Sequence, residues 1–588
     1  MANGKNKKRA PRVLKETTQL QTWNNLAALH SVDYEKAVSD AKRKLSARLL
    51  GKGQKLMKAG QADRAVQALL QAHAENPRET EISIVLAHLL AQQGAAQEAI
   101  FVFEKLVEQT SGNLDSRTLV AMGQLAQRLG MAAAAEHIYS LLIQTEPNQH
   151  RGYCHLSNIL REQGKYTKAI DLLQFAIQND QASPYLWHSL AIVVAEQQGL
   201  GVAEPFYAEA LRLKPDYGAA HSNLGMALCA EGRFEDALPH LDTAMELVSG
   251  DPNARFSYAT ALLGAGRLAE GIENYEWRLD SGRADSVAFT HGLPRWEGGD
   301  LSDKTVLVCD EQGIGDAMMF SSCFSQIVEK AAHCHIECDY RLVDLYQRSF
   351  PKATVNRHVT YKVNGRVHRH YGWLKDMDRQ PDVATEAGSL LRYLRPTIES
   401  FERPSGYLKP DPERVEFWKA RFDALGPGLK VGLCWSGGYV TPIRKRNYVT
   451  LQEMAPFFEI DGIHFINIMY TNTEADIERA REELGVTIHD WPDIDRREQL
   501  DEAFAYTAPL DYVVSVTSSP GAIAGVLGIP TADIQRARTK WMLGMPDKKP
   551  WFPNTRVFLP PDIAQWPEEP IGRVCQELQR RAGLQAAA

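Results

Sequence analysis

Apolar residues follow two different rhythms along the chain. From about residue 46 to Arg283 they recur with helical spacing, and from Lys304 onward they gather in short β-prone runs separated by helical stretches. The first region carries an internal period. Turn glycines fall at 60, 94, 130, 164, 199, 232 and 266, spaced 33 to 36 residues apart. Five residues beyond most of them stands alanine (Ala65, Ala99, Ala135, Ala169, Ala237). Twelve residues before that position the side chain is always small: Gly53, Ala87, Gly123, Ser157, Ala191, Gly225 and Ala259. Pro77, Pro147 and Pro215 close three of the units. Small residues at fixed phases let two helices approach closely, so the period predicts about seven helix–turn–helix units over residues 46–285.

The second region reads as two α/β lobes. "KTVLVC" predicts a buried strand that leads through "DEQGIGD" (310–316) into a helix, and "HCHIECD" (333–339) predicts a second strand followed by "RLVDLYQRSF". The proline-broken stretch "FERPSGYLKPDPER" (401–414) reads as a hinge between lobes. A further set of strands follows in "LKVGLCWSGG" (429–438), "HFINIMY" (464–470), "VTIHDW" (486–491), "LDYVVSV" (510–516) and "IPTADI" (529–534). Two sets of alternating strands and helices imply two parallel sheets facing each other across a cleft. The expected organisation is a basic, partly disordered segment (1–45), the repeats (46–285), a linker (286–302), an N-terminal Rossmann-like lobe (303–408), and a C-terminal, donor-binding lobe (409–588) ending in a helix.

Composition narrows the picture. A chain of 588 residues is too long for one core. A net charge of −7 gives no global case for nucleic acid, and no apolar run reaches the ~18 residues of a membrane helix. The basic start "MANGKNKKRAPRVLKE" lacks the apolar core of a secretory signal. Eight scattered cysteines fit a reducing, cytoplasmic setting. The cluster His333, Cys334, His335, Cys338 invites a zinc reading, but Cys334, Ile336 and Cys338 alternate as one face of a strand and no second ligand pair follows, so no metal site is expected. "DIDRRE" (493–498) reads as a helix start as readily as a metal-carrying acidic pair.

The repeat unit resembles the tetratricopeptide repeat, and "GRFEDALPHLDTAMEL" (232–247) is a close match. Such a solenoid implies a groove that holds a segment of another protein, with a spacer or self-association role as the alternative. "RWEGGDLSDKTVLVCDEQGIGDAMMF", "VGLCWSGG…RKRNYVTL" and "LDYVVSVTSSPGAIAGVLGIPT" look like bacterial repeat-linked glycosyltransferases of the GT-B fold, related to heptosyltransferases and more distantly to O-linked GlcNAc transferases. The resemblance covers about residues 290–560, and within that group the flagellin glycosyltransferases are the suggested functional match. It implies an α-solenoid of about seven tetratricopeptide repeats followed by an α/β two-lobed GT-B-like domain. It also implies that Asp316 is the general base, that the turn Gln312, Gly313, Gly315 admits the acceptor, and that no cofactor is needed beyond a nucleotide-sugar co-substrate, CMP- or UDP-linked. An acid suits the role, because a serine or threonine hydroxyl is a weak nucleophile until a carboxylate takes its proton; the alternative is that Asp316 caps the helix.

For the donor phosphate, "TPIRKRNYVTL" supplies Arg444, Lys445 and Arg446, and Arg446 aligns best with the phosphate contact of the resembling enzymes. A solvated charge run is the alternative. Trp435 and Ser436 would then line the cleft floor, and "SVTSSPGAIAG" (515–525) would offer Thr517, Ser518, Ser519 and Gly521 to phosphate or ribose. Where the resembling enzymes carry an acid–threonine pair followed by histidine, this chain has Thr517, Ser518 and Ala522. That departure implies either a different donor, such as a CMP-linked nonulosonic acid, or a domain that binds without catalysing. Trp541 and Trp551 read as core aromatics, with stacking on a base or sugar as the alternative. The expected protein is a cytoplasmic O-glycosyltransferase acting on an acceptor such as flagellin. The rival readings are a non-catalytic repeat adaptor and a lipid-glycan transferase.

Overall fold

The computed structural model describes residues 31–586 apart from residues 110–113, 249, 251, 281–285, 364–365, 378, 402–405 and 439–441. Residues 1–30 of the basic segment and 402–405 of the expected hinge lie outside the described residues. The helix Ser31–Lys58 fills the rest of that first segment, so helical structure begins well before residue 46.

The chain divides into two compact units, one ending at Gln181 and one beginning at Ala182. The expected boundary, between the repeats and the α/β lobes, is therefore not where the compact units part. In the first unit, helix Ser31–Lys58 pairs with Ala62–Glu75, Thr80–Gln92 with Ala96–Gln109, Ser116–Arg128 with Ala132–Thr145, and His150–Glu162 with Tyr166–Asn179. The second unit opens with three more pairs: Pro184–Gln198 with Leu200–Leu213, Gly218–Ala230 with Phe234–Leu247, and Pro252–Gly264 with Leu268–Tyr275. These are tetratricopeptide-type helix pairs, built by the residues that set the period. The turn glycines take left-handed φ values, from +69° at Gly60 to +104° at Gly199. The alanines at 65, 99, 135, 169 and 237 are fully buried. The small residues of the first helices are required by contact: a Cβ on Gly123 would lie 2.4 Å from the Tyr139 ring, and one on Gly225 would lie 2.4 Å from Leu241.

After the repeats in sequence, the described residues form thirteen strands: β1 Val287–Phe289, β2 Thr305–Cys309, β3 His333–Cys338, β4 Thr354–Arg357, β5 Val359–Val363, β6 Arg366–His370, β7 Val383–Glu386, β8 Leu429–Cys434, β9 Ile463–Asn467, β10 Ile488–His489, β11 Tyr512–Val516, β12 Thr531–Ile534 and β13 Thr555–Phe558. An all-parallel sheet runs β4-β3-β2-β7, and a second all-parallel sheet runs β10-β9-β8-β11-β12-β13. In both, the first strand of the set lies inside the sheet and the fourth pairs on its far side, the doubly wound order. Strands β2, β8 and β11 are buried along their whole length, as their mostly apolar runs predict. Cys334, Ile336 and Cys338 lie together in a hydrophobic core, the alternating face of β3. A small sheet, β1-β6-β5, adds an antiparallel strand pair that no expected strand covers, and β1 falls within the expected linker.

One apolar core joins the last repeat to both lobes. Leu263, Leu268, Ile272 and Tyr275 pack with Met318, Phe320 and Phe324 and with Ile523 and Val526. Loops of the C-terminal lobe also reach the repeat turns. Arg446 lies against Gly199, the backbone of Arg538 against Gly232, and Leu543–Gly544 against Gly266. Arg538 bonds the Gly232 carbonyl and pairs with Glu235, and Arg536 pairs with Glu231. The last three repeats are thus part of the body that carries the sheets.

Candidate functional site

In a doubly wound sheet the connections on either side of the first strand leave in opposite directions, opening a crevice at the carboxyl ends of the first and fourth strands. In the N-terminal sheet that crevice lies at the ends of β2 and β7, where the "EQGIGD" turn sits. Gln312 adopts φ +61°, a left-handed conformation uncommon for a residue with a side chain. Its amide donates to the Tyr275 hydroxyl at 2.7 Å, so the last repeat holds the turn in shape. The neighbouring Glu311 is buried, accepting two bonds of 2.7 Å from the Arg278 guanidinium and one of 2.6 Å from the Gly388 N–H. Arg278 also donates to Ser389 at 2.8 Å, while Arg295 pairs with Glu276 and Glu386. Glu311 is therefore a structural acid, fully engaged with its partners.

Asp316 stands in the first turn of helix Ile314–Phe320, half-buried, with its carboxylate reaching back to the Gly313 N–H. Burial raises its carboxyl above the ordinary range; Lys540 and a hydrogen bond from the Trp541 side chain oppose the rise, and the Glu311 charge adds to it. A carboxylate whose proton affinity is raised is a better proton acceptor near neutral pH. The glycines of the turn have room beside them, since a Cβ added at Gly313 or Gly315 would meet nothing within 4 Å.

The C-terminal sheet forms its crevice at the ends of β8 and β11. Cys434 Sγ and Ser518 Oγ lie 3.2 Å apart across it, and Ser518 also bonds Ser515 Oγ at 2.9 Å. Ser518 is the N-cap of helix Ser519–Leu527, its hydroxyl accepting from the Gly521 N–H. Thr517 is exposed and donates to Asp533, which Lys549 and Gln535 also hold. Ser436 and Ser519 are half-buried at the rim. This crevice faces the first, because helices Ile314–Phe320 and Ser519–Leu527 pack on one another.

Two expected residues sit otherwise. Trp435 is 2% exposed in the C-terminal core, with its indole N–H donating to Asp476 at 3.1 Å, so it supports the crevice from beneath rather than lining it. Arg446 points to the end of helix Pro184–Gln198, donating to the Ala195 carbonyl at 3.3 and 3.4 Å and to the Glu196 carbonyl at 2.7 Å. A cation at a helix C-terminus meets exposed carbonyls and the negative end of the dipole. Arg444 and Lys445, by contrast, are exposed.

The site also contains residues that sequence patterns did not single out for it. Lys540 comes from the loop after β12, Tyr275 and Phe256 from the last repeat, and Arg278 from the short helix Glu276–Arg278; Trp541, beside Lys540, is already singled out in the sequence. Tyr275 and Trp541 meet edge to face at 5.4 Å, and Trp541 and Trp551 at 5.5 Å. Both tryptophans pack on the shared core.

Models of the tetratricopeptide repeat match residues 56–123, and again 155–218, 188–252 and 222–284. Protein FlbA of Caulobacter vibrioides is 33% identical over 465 residues, covering 78% of this chain and 77% of that protein. Protein O-mannosyl-transferase TMTC1 of Homo sapiens is 29% identical over 186 residues, 31% of this chain and 20% of that protein. A tetratricopeptide repeat protein from Parabacteroides merdae overlays with a TM-score of 0.34 at 14% identity, covering 41% of this chain and 94% of that one.

Proposed function

We propose, from the premise that this chain belongs to the family of protein FlbA, that it is a protein O-glycosyltransferase of the GT-B kind. It transfers a sugar from a nucleotide-sugar to a serine or threonine of an acceptor protein held by the repeats. The observation that carries the reading is the half-buried Asp316, with its raised proton affinity, on a glycine turn where two doubly wound sheets turn their crevices toward each other. The acceptor hydroxyl attacks the anomeric carbon, its proton passes to Asp316, and the carbon–oxygen bond to the donor phosphate breaks with its electron pair leaving on the phosphate. The nucleoside phosphate binds in the C-terminal crevice, at the start of helix Ser519–Leu527, with the exposed Arg444 and Lys445 neutralising it. The reaction needs no metal, and Arg446 serves it by fixing the loop that carries those two cations.

The acceptor belongs to the repeats before residue 182, whose turn glycines at 60, 130 and 164 have open space beside them; flagellin, in the cytoplasm before export, is the first to test. A second reading, a repeat adaptor with an inactive transferase domain, draws on the hydroxyls of Ser515 and Ser518 and the Cys434 thiol, which bond one another. A lipid-glycan acceptor would leave the repeats without work, and among the described residues no helix is long and apolar enough to cross a membrane. Intact-mass spectrometry of flagellin and other candidate acceptors, from cells with and without this chain, separates the readings. A glycan-sized mass lost with the chain supports transfer. Unchanged masses, together with acceptor retained in a pull-down, favour the adaptor.

A further inference from the structure

Lys540 is an unusual cation. Its ammonium lies over three rings, 5.0 Å from the centre of Phe256, 5.1 Å from Tyr275 and 4.8 Å from Trp541. Ring faces attract a cation and fix it in place, each contributing more as water is excluded. Two of the three rings belong to the last repeat and the third to the C-terminal lobe, while the carboxylate within the ammonium's field, Asp316, belongs to the N-terminal lobe. Asp316 is faced by Lys540 and Trp541 from one side, by Glu311 and the Gly313 N–H from its own turn, and by Tyr275 from the repeat. Glu311 is neutralised by Arg278, and the charge of Lys540 favours the ionised form of Asp316.

We propose that Lys540 is a positioning residue for Asp316, and that the repeat Pro252–Tyr275 is part of the catalytic centre because its rings seat that lysine. The proposal rests on Asp316 being the base. The ammonium holds the carboxylate charged and oriented until the acceptor hydroxyl arrives, and the three rings fix the ammonium in place.

The test uses the full chain in two arms, one of which needs no substrate. In the first, melting temperature is followed against pH for the parent, Asp316→Asn, Lys540→Met and the double variant. A carboxyl whose affinity for protons is higher folded than unfolded binds more protons in the folded state, so its stabilising effect is full at low pH and is lost as pH rises through the folded value. The parent should therefore lose stability relative to Asp316→Asn as pH rises, then level off. With Lys540→Met the loss should continue to higher pH, and Lys540→Arg should restore the parent course. Lys540→Gln serves as a second neutral variant if the methionine impairs folding.

In the second arm the acid limb of the transfer rate moves to higher pH in Lys540→Met, with about a tenfold loss on that limb and the high-pH plateau retained. An identical pH course with and without Lys540 in the stability arm overturns the proposal. A shifted course with no transfer in any variant leaves the coupling standing and removes the enzymatic reading instead.

Discussion

Gly130 and Gly232 occupy the same position in two repeats and have the same φ, +72°. Beside Gly130 an added Cβ would meet nothing within 4 Å, whereas at Gly232 it would lie 2.7 Å from the backbone nitrogen of Arg538. The first repeats have open space beside their turns at Gly60 and Gly164 as well. The last repeats have their turns at 199, 232 and 266 covered by loops of the C-terminal lobe. One repeat chemistry thus serves two tasks. Left-handed glycine makes the turn in both regions, and only in the second does the missing side chain also admit another element's backbone. The difference separates repeats available to a partner from repeats built into the body that carries the sheets.

Removing the built-in repeats should have the gravest consequence. A fragment of residues 303–588 loses Leu263, Leu268, Ile272 and Tyr275 from the shared core. Each fully buried side chain of this size contributes ~1.5–3 kcal/mol, so the sum approaches the ~5–15 kcal/mol that a native fold has in total. This fragment should show no cooperative transition in urea, whereas residues 182–588 should unfold cooperatively. Equal transitions for the two would mean that the last repeats are as independent as the first.

Arg278→Met leaves Glu311 buried without its partner and should cost ~3–5 kcal/mol, read as a lower denaturation midpoint. The paired glycines come next. Gly130→Ala should cost ~1–2 kcal/mol for a side chain in the left-handed region. Gly232→Ala should cost ~1–3 kcal/mol beyond that, for the displaced Arg538 backbone. Matching losses would show that the covering loop yields freely.

The smallest changes in stability are expected in the basic run. Alanine at Arg444 or Lys445 should alter stability by no more than ~0.5 kcal/mol while slowing transfer. Arg446→Ala should instead cost ~1 kcal/mol by releasing the helix end at Ala195 and Glu196. A transfer defect confined to Arg446→Ala would return the phosphate contact to that residue.

Much of this architecture was legible in sequence because it is local. The repeat period, the strands at 305–309, 429–434 and 512–516, and the turn that presents Asp316 all follow from residues a few positions apart. The β5–β6 hairpin was not legible, because its alternation is crowded with charge and histidine, "VTYKVNGRVHRH". Nor was the docking of the last repeats, which joins Arg446 to Ala195 and Arg538 to Gly232 through main-chain carbonyls that any residue type supplies. The sequence favoured Arg446 as the phosphate contact by alignment, and the fold engages it elsewhere because a helix end lies nearer. Lys540 gave no signal, since a lysine beside a tryptophan becomes distinctive only when Phe256 and Tyr275 arrive from another element.

Whether Asp316 takes the acceptor's proton or only closes the first turn of its helix is decided by Asp316→Asn. The amide keeps the size and the acceptor for the Gly313 N–H but cannot take a proton in transfer. Melting temperature and rate of sugar transfer should be measured on one preparation. Transfer should fall ~10²–10⁴-fold with acceptor capture intact and a stability change of at most ~1 kcal/mol. A variant that melts like the parent and transfers at the parent rate would contradict a proton-accepting role for Asp316.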